Sequence, residues 1–264
     1  MRAPAAILLR QFYLMRGSPA RLVPLFIWVA VDMLLWGFMS RYLAAIAPRM
    51  HFVEALLGAA LLWDFFTRVM QGVTMTFFED VWSRNFLNLF AAPLSVGEYV
   101  VGLVLSSIAT SLIGLAVIVA IASLVFGLPV LAYGLAAIPF LLILFLFGVA
   151  LGVAGSAIVM RLGPAAEWLV WPIPALISPL AGVFYPLSAL PDWMRMAARA
   201  FPPAYVFENL RAIVAGGAPS FVELAAGSAL ALAYLALAGW LFTFVYGYAV
   251  RTGLIARYSA ESVS

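Results

Sequence analysis

Three ionisable side chains, Asp32, Asp64 and Arg68, lie within stretches of sequence that are otherwise apolar. A charged side chain at the centre of a bilayer costs about 2.5–3.5 kcal/mol on insertion scales, so such residues face protein or water. Counting a rise of about 1.5 Å per residue from opposite ends of two successive apolar stretches brings Asp32 and Asp64 to a similar depth. We therefore expect one polar cluster. It is either an ion pair that fixes helix packing, or the polar lining of a transport path, or a proton relay.

Other reactive sites are poorly supported by the composition. All basic residues are Arg, the sequence has no Lys and no Cys, and its one His is His51. Without Lys there is no complete Walker A phosphate loop and no Schiff base. Without Cys, and with one His, the common zinc and haem ligand sets are missing. We therefore expect no catalytic residue, no metal ion and no cofactor on this chain.

The composition also predicts the fold class. Hydrophobic residues make up 66% of the sequence and charged residues 9%, whereas a soluble domain has about 25% charged residues. Most of the surface must therefore face lipid, where only helices and closed barrels satisfy their own backbone hydrogen bonds. Residues 141–160 do not alternate between apolar and polar as barrel strands do. The sequence predicts an all-α integral membrane protein, and the small net charge of +3 does not favour nucleic-acid binding.

Six stretches are long enough to span a bilayer, which requires about 20 apolar residues. They comprise residues 22–42, 52–75, 99–126, 130–159, 165–187 and 221–250. The fifth contains Pro172, Pro174 and Pro179, which must kink or interrupt a helix. Residues 1–264 are thus predicted to form a single transmembrane domain with six spans.

The distribution of Arg residues predicts the orientation in the membrane. An even number of spans places both termini on one side, and cytoplasmic loops are enriched in Arg. With cytoplasmic termini, eight Arg residues lie inside and five outside. We therefore expect both termini in the cytoplasm.

One segment between the second and third spans, residues 79–91, is predicted to form a short cytoplasmic helix. A helical spacing places four apolar side chains on one stripe: Trp82, Phe86, Leu89 and Phe90. Asp80 and Arg84 lie four residues apart on the opposite side, where they can pair. This helix either lies on the membrane surface or docks a soluble partner and transmits force from it.

A second polar segment, residues 186–220, precedes the last span on the outer side. Two helices of about ten residues are predicted, and they are too short to cross a bilayer. They would lie at the interface or enter the membrane and return, closing the outer end of the helix bundle. Their most distinctive residues are Pro191, Trp193, Arg195, Arg199, Glu208 and Arg211.

The order of these parts resembles the permeases of the type-2 ABC exporter family. Two stretches carry the resemblance, RNFLNLFAAPLSVGEYVVG at 84–102 and FYPLSALPDWMRMAARAFPPAYVFENLR at 184–211. The resemblance implies six spans, a cytoplasmic coupling helix at 79–91 and a re-entrant helix pair before the last span. It also implies that residues 1–19 form an amphipathic interface helix.

The resemblance further implies how such a protein would work. The coupling helix would dock on a separate ABC ATPase subunit, which would hold the ATP and Mg²⁺, while spans one, two and five line the path. Two permease copies, as a homodimer or a close heterodimer, would work with two ATPases in the bacterial inner membrane. The expected substrate is amphiphilic, such as a glycolipid, a lipid-linked glycan or a drug-like molecule.

Two other classes of function remain open. The Asp32/Asp64/Arg68 cluster would also suit a secondary transporter or channel driven by an ion gradient, and a membrane enzyme or assembly scaffold is a further alternative. Several aromatic residues either contact the substrate or form the aromatic belt of the membrane interface. They are Trp36, Trp63, Phe65, Phe66, Trp168, Trp171 and Tyr185.

Overall fold

The computed structural model describes residues 2–17, 19–46, 53–83 and 94–254, and this part of the chain is helical without any β-strand. We number its α-helices α1 to α10 in chain order. They are α1 Arg2–Arg16, α2 Pro19–Ile46, α3 Gly58–Trp82, α4 Val96–Phe126, α5 Ala137–Leu162, α6 Glu167–Val170, α7 Ile173–Ala181, α8 Asp192–Ala198, α9 Pro202–Val214 and α10 Phe221–Arg251. A π-helical turn, Val53–Leu57, precedes α3, and short 3-10 helices at Val130–Ala136, Pro164–Ala166 and Leu187–Ala189 lie between the others.

Four of the described helices are long and apolar enough to cross a membrane. These stretches are Ile27–Ile46, Val96–Phe126, Tyr133–Leu162 and Phe221–Arg251. The prediction of an all-α membrane protein is therefore confirmed. They correspond to predicted spans one, three, four and six, with ends that differ by a few residues.

The two remaining predicted spans have a different character. Helix α3 has 25 residues but also carries four charged side chains, two of them Asp64 and Arg68. The fifth predicted span is divided into the 3-10 helix Pro164–Ala166, α6 and α7, with Pro172 and Pro174 at the break. Helix α7 ends at Gly182, whose φ of 60° is in the left-handed region that favours glycine. The six-span count thus remains a prediction.

Long-range contacts show how the long helices run. Asp80 at the end of α3 contacts both Arg10 of α1 and Tyr99 at the start of α4, so α3 and α4 are antiparallel neighbours. At the opposite end, Arg41 of α2 donates a hydrogen bond to the carbonyl oxygen of Val125 at 2.6 Å, so α2 and α4 end together. We call these the Arg10 end and the Arg41 end of the bundle.

The core is built on α3, which packs between α4 and α5, while α10 covers α5. Small residues allow close approach between α3 and α5, as in many membrane helix pairs. A Cβ placed on Gly152 would lie 2.9 Å from the Met70 carbonyl oxygen and 2.7 Å from the Val73 Cβ. On the α4 side, Ser107 donates a hydrogen bond to the Val69 carbonyl oxygen at 2.8 Å. These contacts hold α3 between its two neighbours.

The end of α3 differs from the prediction of a separate cytoplasmic helix starting at residue 79. Helix α3 continues without a break through Asp80 and Trp82 and ends at Ser83. The reason is that no Gly or Pro interrupts the backbone ladder between Thr76 and Ser83. Arg84, Phe86, Leu89 and Phe90 of the predicted coupling helix lie outside the described residues.

Helix α4 begins three residues earlier than predicted because of its cap. The Ser95 hydroxyl accepts a hydrogen bond from the Glu98 backbone N–H, and the Glu98 carboxylate accepts one from the Ser95 backbone N–H at 3.0 Å. This reciprocal capping box satisfies two donors that the helix itself cannot. It also fixes the point at which the chain re-enters the bundle after residues 84–93.

Candidate functional site

A cavity of about 300 Å³ lies between α2, α3 and the broken helical segment α6–α7. Its aromatic lining consists of Trp36, Trp63, Trp171 and Phe184, and its polar lining of Asp32, Asp64, Thr67 and Gln71. Helix α2 and helix α3 thus supply one carboxylate each to the same cavity. The cavity combines apolar walls with a small number of polar groups, as ligand sites commonly do.

The two carboxylates have different partners. Asp64 accepts hydrogen bonds from Arg68 Nε at 2.5 Å and from Arg68 Nη2 at 3.3 Å, and both side chains are largely buried. This i,i+4 spacing is the one that brings two side chains together on a helix. Asp32 is exposed to the cavity, and among the described residues it has no hydrogen bond or ion pair. Arg68 therefore neutralises Asp64 directly and Asp32 only across a longer distance.

The aromatic wall is fixed by stacking on both sides of the cavity. The rings of Trp36 and Phe184 are stacked, with centroids 4.1 Å apart and planes at 13°. Trp63 packs against Phe66 of the core at 4.8 Å and against Phe207 of α9 at 6.1 Å. Both tryptophans are thus held by other rings, so that they form part of a preformed wall.

The other aromatic residues identified in the sequence lie elsewhere. Phe65 and Phe66 are buried in the helix core, and Trp168 is exposed at the surface of the bundle. The Tyr185 hydroxyl donates a hydrogen bond to the Pro179 carbonyl oxygen at 2.7 Å, which closes the turn after α7. Sequence reasoning missed Phe184, whose only signal was its place next to Tyr185 at the end of the fifth predicted span.

A second polar cluster lies at the Arg10 end. Asp80 is 1% exposed, and its Oδ2 accepts a hydrogen bond from the Tyr99 hydroxyl at 2.8 Å, while Oδ1 forms an ion pair with Arg10 Nη2. The sequence analysis placed Asp80 and Arg84 within pairing distance on one side of a separate cytoplasmic helix. That interpretation is wrong about the environment of Asp80, because the unbroken α3 turns this side chain into the bundle, against α1 and α4. Trp82, in contrast, is half exposed.

We call residues 186–220, which the sequence predicts on the outer side, the outer segment; Glu208 and Arg211 attach it to the turn after α7. Glu208 Oε1 accepts hydrogen bonds from the Leu187 backbone N–H at 2.8 Å and from Arg211 Nη2 at 2.7 Å. Arg211 Nη1 donates a hydrogen bond to the Gly182 carbonyl oxygen at 2.7 Å. These two side chains hold α9 against the turn that follows α7, next to the cavity wall at Phe184.

The first helix of the outer segment, α8, is more exposed. It starts directly after Pro191, and Arg195 forms an ion pair with Asp192 at the surface. Trp193 and Arg199 are exposed. Exposed ion pairs of this kind contribute little to stability.

A buried amide that the sequence analysis did not identify links the outer segment to α10. Asn209 is 1% exposed; its Nδ2 donates to Glu223 Oε2 at 3.0 Å, and its Oδ1 accepts from the Ser220 backbone N–H at 2.6 Å. Ser220 also caps α10 through the Glu223 backbone N–H at 3.3 Å. The only sequence signal was the Ser-x-x-Glu spacing at the start of a long apolar run.

The cavity lining brings together polar groups of several kinds with aromatic rings. It has one directly paired carboxylate, one carboxylate without a close partner, an amide and a hydroxyl, set among four aromatic rings. The described residues contain no group of three His, Cys, Asp or Glu side chains that could hold a metal ion. A ligand with an apolar body and a polar or charged group suits these walls.

Comparison with known protein families gives a match that covers most of the chain. A family model described as "ABC-2 type transporter" matches residues 5–215, about four-fifths of the chain. The matched region contains the cavity and the Arg10–Asp80–Tyr99 cluster, and it extends to the end of α9. A comparison with curated proteins found no match.

Proposed function

Because the chain belongs to the ABC-2 type transporter family, we propose that it is the permease subunit of an ATP-driven exporter. Members of this family are transmembrane components of ABC transporters. In the proposal, six spans cross the bacterial inner membrane, α6 and α7 together form the fifth, and both termini are cytoplasmic. The family match over about four-fifths of the chain is the observation that carries the proposal.

In the proposal, transport is powered by a separate ABC ATPase that docks on the segment containing residues 79–91. The Arg10–Asp80–Tyr99 cluster supports this, because it joins α1, the last turn of α3 and the first turn of α4 where that segment leaves the bundle. A force that the docked ATPase applies to this segment would therefore act on the three helices together. ATP and Mg²⁺ would be bound by the ATPase, in line with a sequence that has no Lys for a Walker A motif.

Helix α3 provides a direct mechanical path from the docking segment to the cavity. Asp80 and Asp64 are sixteen residues apart on one uninterrupted helix, which corresponds to about 24 Å. The close packing of Gly152 against Met70 and Val73 supports movement of α3 with α5 as one unit. Such a rigid shift would change the cavity, whose opposite walls belong to α2 and α7.

The proposed cargo is amphiphilic, and the proposed assembly contains two permease copies and two ATPases. The mixture of four aromatic rings with Asp32, Asp64 and Gln71 in one cavity supports an amphiphile. Spans one, two and five, which the family resemblance assigns to the path, contain the residues of this cavity. The intramembrane carboxylates would thus serve binding.

The test is purification of the tagged protein from its own membranes in a mild neutral detergent. We expect an ABC ATPase to be recovered in equal amount. Replacing Trp82, Phe86 and Leu89 together by Gln should remove the ATPase, whereas the matched control Trp193→Gln, an exposed tryptophan in the outer segment, should retain it. Recovery of no ATPase, together with transport that follows an ion gradient in vesicles without ATP, would instead identify a gradient-driven transporter.

A further inference from the structure

The charges around the cavity do not cancel. Asp32 and Asp64 both line it, and no described cationic side chain does. Arg68 donates hydrogen bonds to both oxygens of Asp64. With both carboxylates ionised, the described lining and Arg68 together carry a net charge of −1, and the excess negative charge is on Asp32 at the cavity wall.

The aromatic walls favour the same kind of ligand. A cation within about 6 Å of an aromatic centroid is attracted by the ring quadrupole, most strongly by tryptophan. Three tryptophans line this cavity, Trp36 on α2, Trp63 on α3 and Trp171 at the break before α7. Tryptophans from three sides combined with one carboxylate form a site that suits a quaternary or protonated nitrogen.

Anions and large polar molecules fit this site less well. An anion would meet a carboxylate without a directly paired cation in a site of reduced dielectric, where repulsion is stronger than in water. The volume of about 300 Å³ is at the lower end of ligand pockets. It holds a small organic molecule or the head group of a lipid rather than an extended glycan.

We propose that this cavity selects hydrophobic monocations, meaning molecules with one positively charged nitrogen and an aromatic or alkyl body. Asp32 is the counter-ion, and Trp36, Trp63 and Trp171 surround the charged group. The inference deepens the proposed function, because the bound cation is then the cargo of the exporter. It also accounts for the two carboxylates, only one of which has a directly paired cation.

Three probes of similar size separate charge from shape. They are benzyltrimethylammonium, its neutral isostere neopentylbenzene and the anion phenylmethanesulfonate. Binding is measured by saturation-transfer NMR and equilibrium dialysis on the purified unmodified protein in a neutral detergent, without ATP. We expect binding of the cation that is at least about tenfold tighter than that of either other probe, a difference of about 1.4 kcal/mol or more. Equal or tighter binding of the anion would overturn the proposal.

Two pairs of variants locate the site. Asp32→Asn should weaken binding of benzyltrimethylammonium about tenfold, which corresponds to about 1.4 kcal/mol, whereas Asp192→Asn, an exposed carboxylate on α8, should not change it. Trp36→Leu should also weaken it, whereas Trp240→Leu, on the exposed face of α10, should not. Unchanged cation binding in Asp32→Asn would place the cation elsewhere and overturn the proposal.

The binding measurement and the ATPase recovery are independent. Selective cation binding without a recovered ATPase would retain this cavity assignment and reject the exporter. A recovered ATPase without cation selectivity would retain the exporter and reject the monocation as its cargo. If Asp32→Asn does not fold, the comparison of the three probes on the unmodified protein still tests whether the cavity selects monocations.

Discussion

The Tyr99 hydroxyl donates a hydrogen bond to Asp80 across a chain separation of nineteen residues, at 2.8 Å. It joins the first turn of α4 to the last turn of α3, on either side of the segment proposed to dock the ATPase. Asp80 is also paired with Arg10, so the carboxylate is shared by three helices.

Removing this hydroxyl should lower stability and weaken coupling. We expect Tyr99→Phe to lower the free energy of unfolding by about 1.5–3 kcal/mol, since a hydrogen bond to a charged group is lost in a buried site. In the assembled transporter, ATP hydrolysis should continue while transport per ATP falls. The measurements are unfolding in denaturant and the ratio of transport to hydrolysis in proteoliposomes. Tyr13→Phe, on the exposed face of α1, is the matched control; an equal loss in that variant would contradict the prediction.

The close contact between α5 and α3 should not tolerate a side chain at Gly152. We expect Gly152→Leu to destabilise the bundle by about 1–3 kcal/mol or to prevent its assembly, because its Cβ meets the Met70 backbone and Val73. Gly239→Leu provides the control, because a Cβ on that residue of α10 meets nothing within 4 Å. The yield of monodisperse protein and the unfolding midpoint would be compared. Similar behaviour of the two variants would show that this packing is unimportant.

The attachment of the outer segment to the turn after α7 should depend on Arg211. Arg211→Leu removes the hydrogen bonds to Glu208 and to the Gly182 carbonyl oxygen. We expect faster proteolysis between α7 and α8 and a loss of about 1.5–3 kcal/mol in stability. Arg195→Leu is the control, because its partner Asp192 is 90% exposed and such pairs contribute at most about 1 kcal/mol. Unchanged proteolysis in Arg211→Leu would contradict the assignment.

A structural and a functional role of Arg68 can be separated by a double substitution. Arg68→Leu alone leaves Asp64 buried without its directly paired cation, which costs about 3–5 kcal/mol when a buried pair is broken. The double variant Asp64→Asn/Arg68→Gln removes both charges and should recover most of the protein yield. If the pair also serves transport, this well-folded double variant remains inactive in vesicles. Full transport by it would assign the pair to packing alone.

Much of the fold follows from local sequence. Long apolar runs identify α2, α4, α5 and α10, because a segment in lipid must satisfy its own backbone hydrogen bonds, as a helix does. The Asp64–Arg68 ion pair is also a local feature, since residues four apart on a helix are neighbours. Depth counting brought Asp32 near Asp64, and both line one cavity.

What the sequence did not reveal depends on tertiary packing. The local spacing paired Asp80 with Arg84, whereas its partner Arg10 lies seventy residues earlier on another helix. Trp36 and Phe184 are almost 150 residues apart, and no local spacing indicates that their rings stack. Predicting such contacts requires the relative positions of the helices, which a hydropathy profile does not give.

The distance along the chain between Arg10 and Tyr99 also bears on how the protein is made. Chains are synthesised at about 5–20 residues per second, so roughly 4 to 18 s pass between these two residues at the ribosome. Within this interval Asp80, the direct partner of Arg10, follows seventy residues after it, and Tyr99, which bonds Asp80, follows last. Helix α1 therefore forms this cluster only after α3 and the first turn of α4 have been synthesised, so its docking follows the synthesis of the two helices that the cluster joins to it.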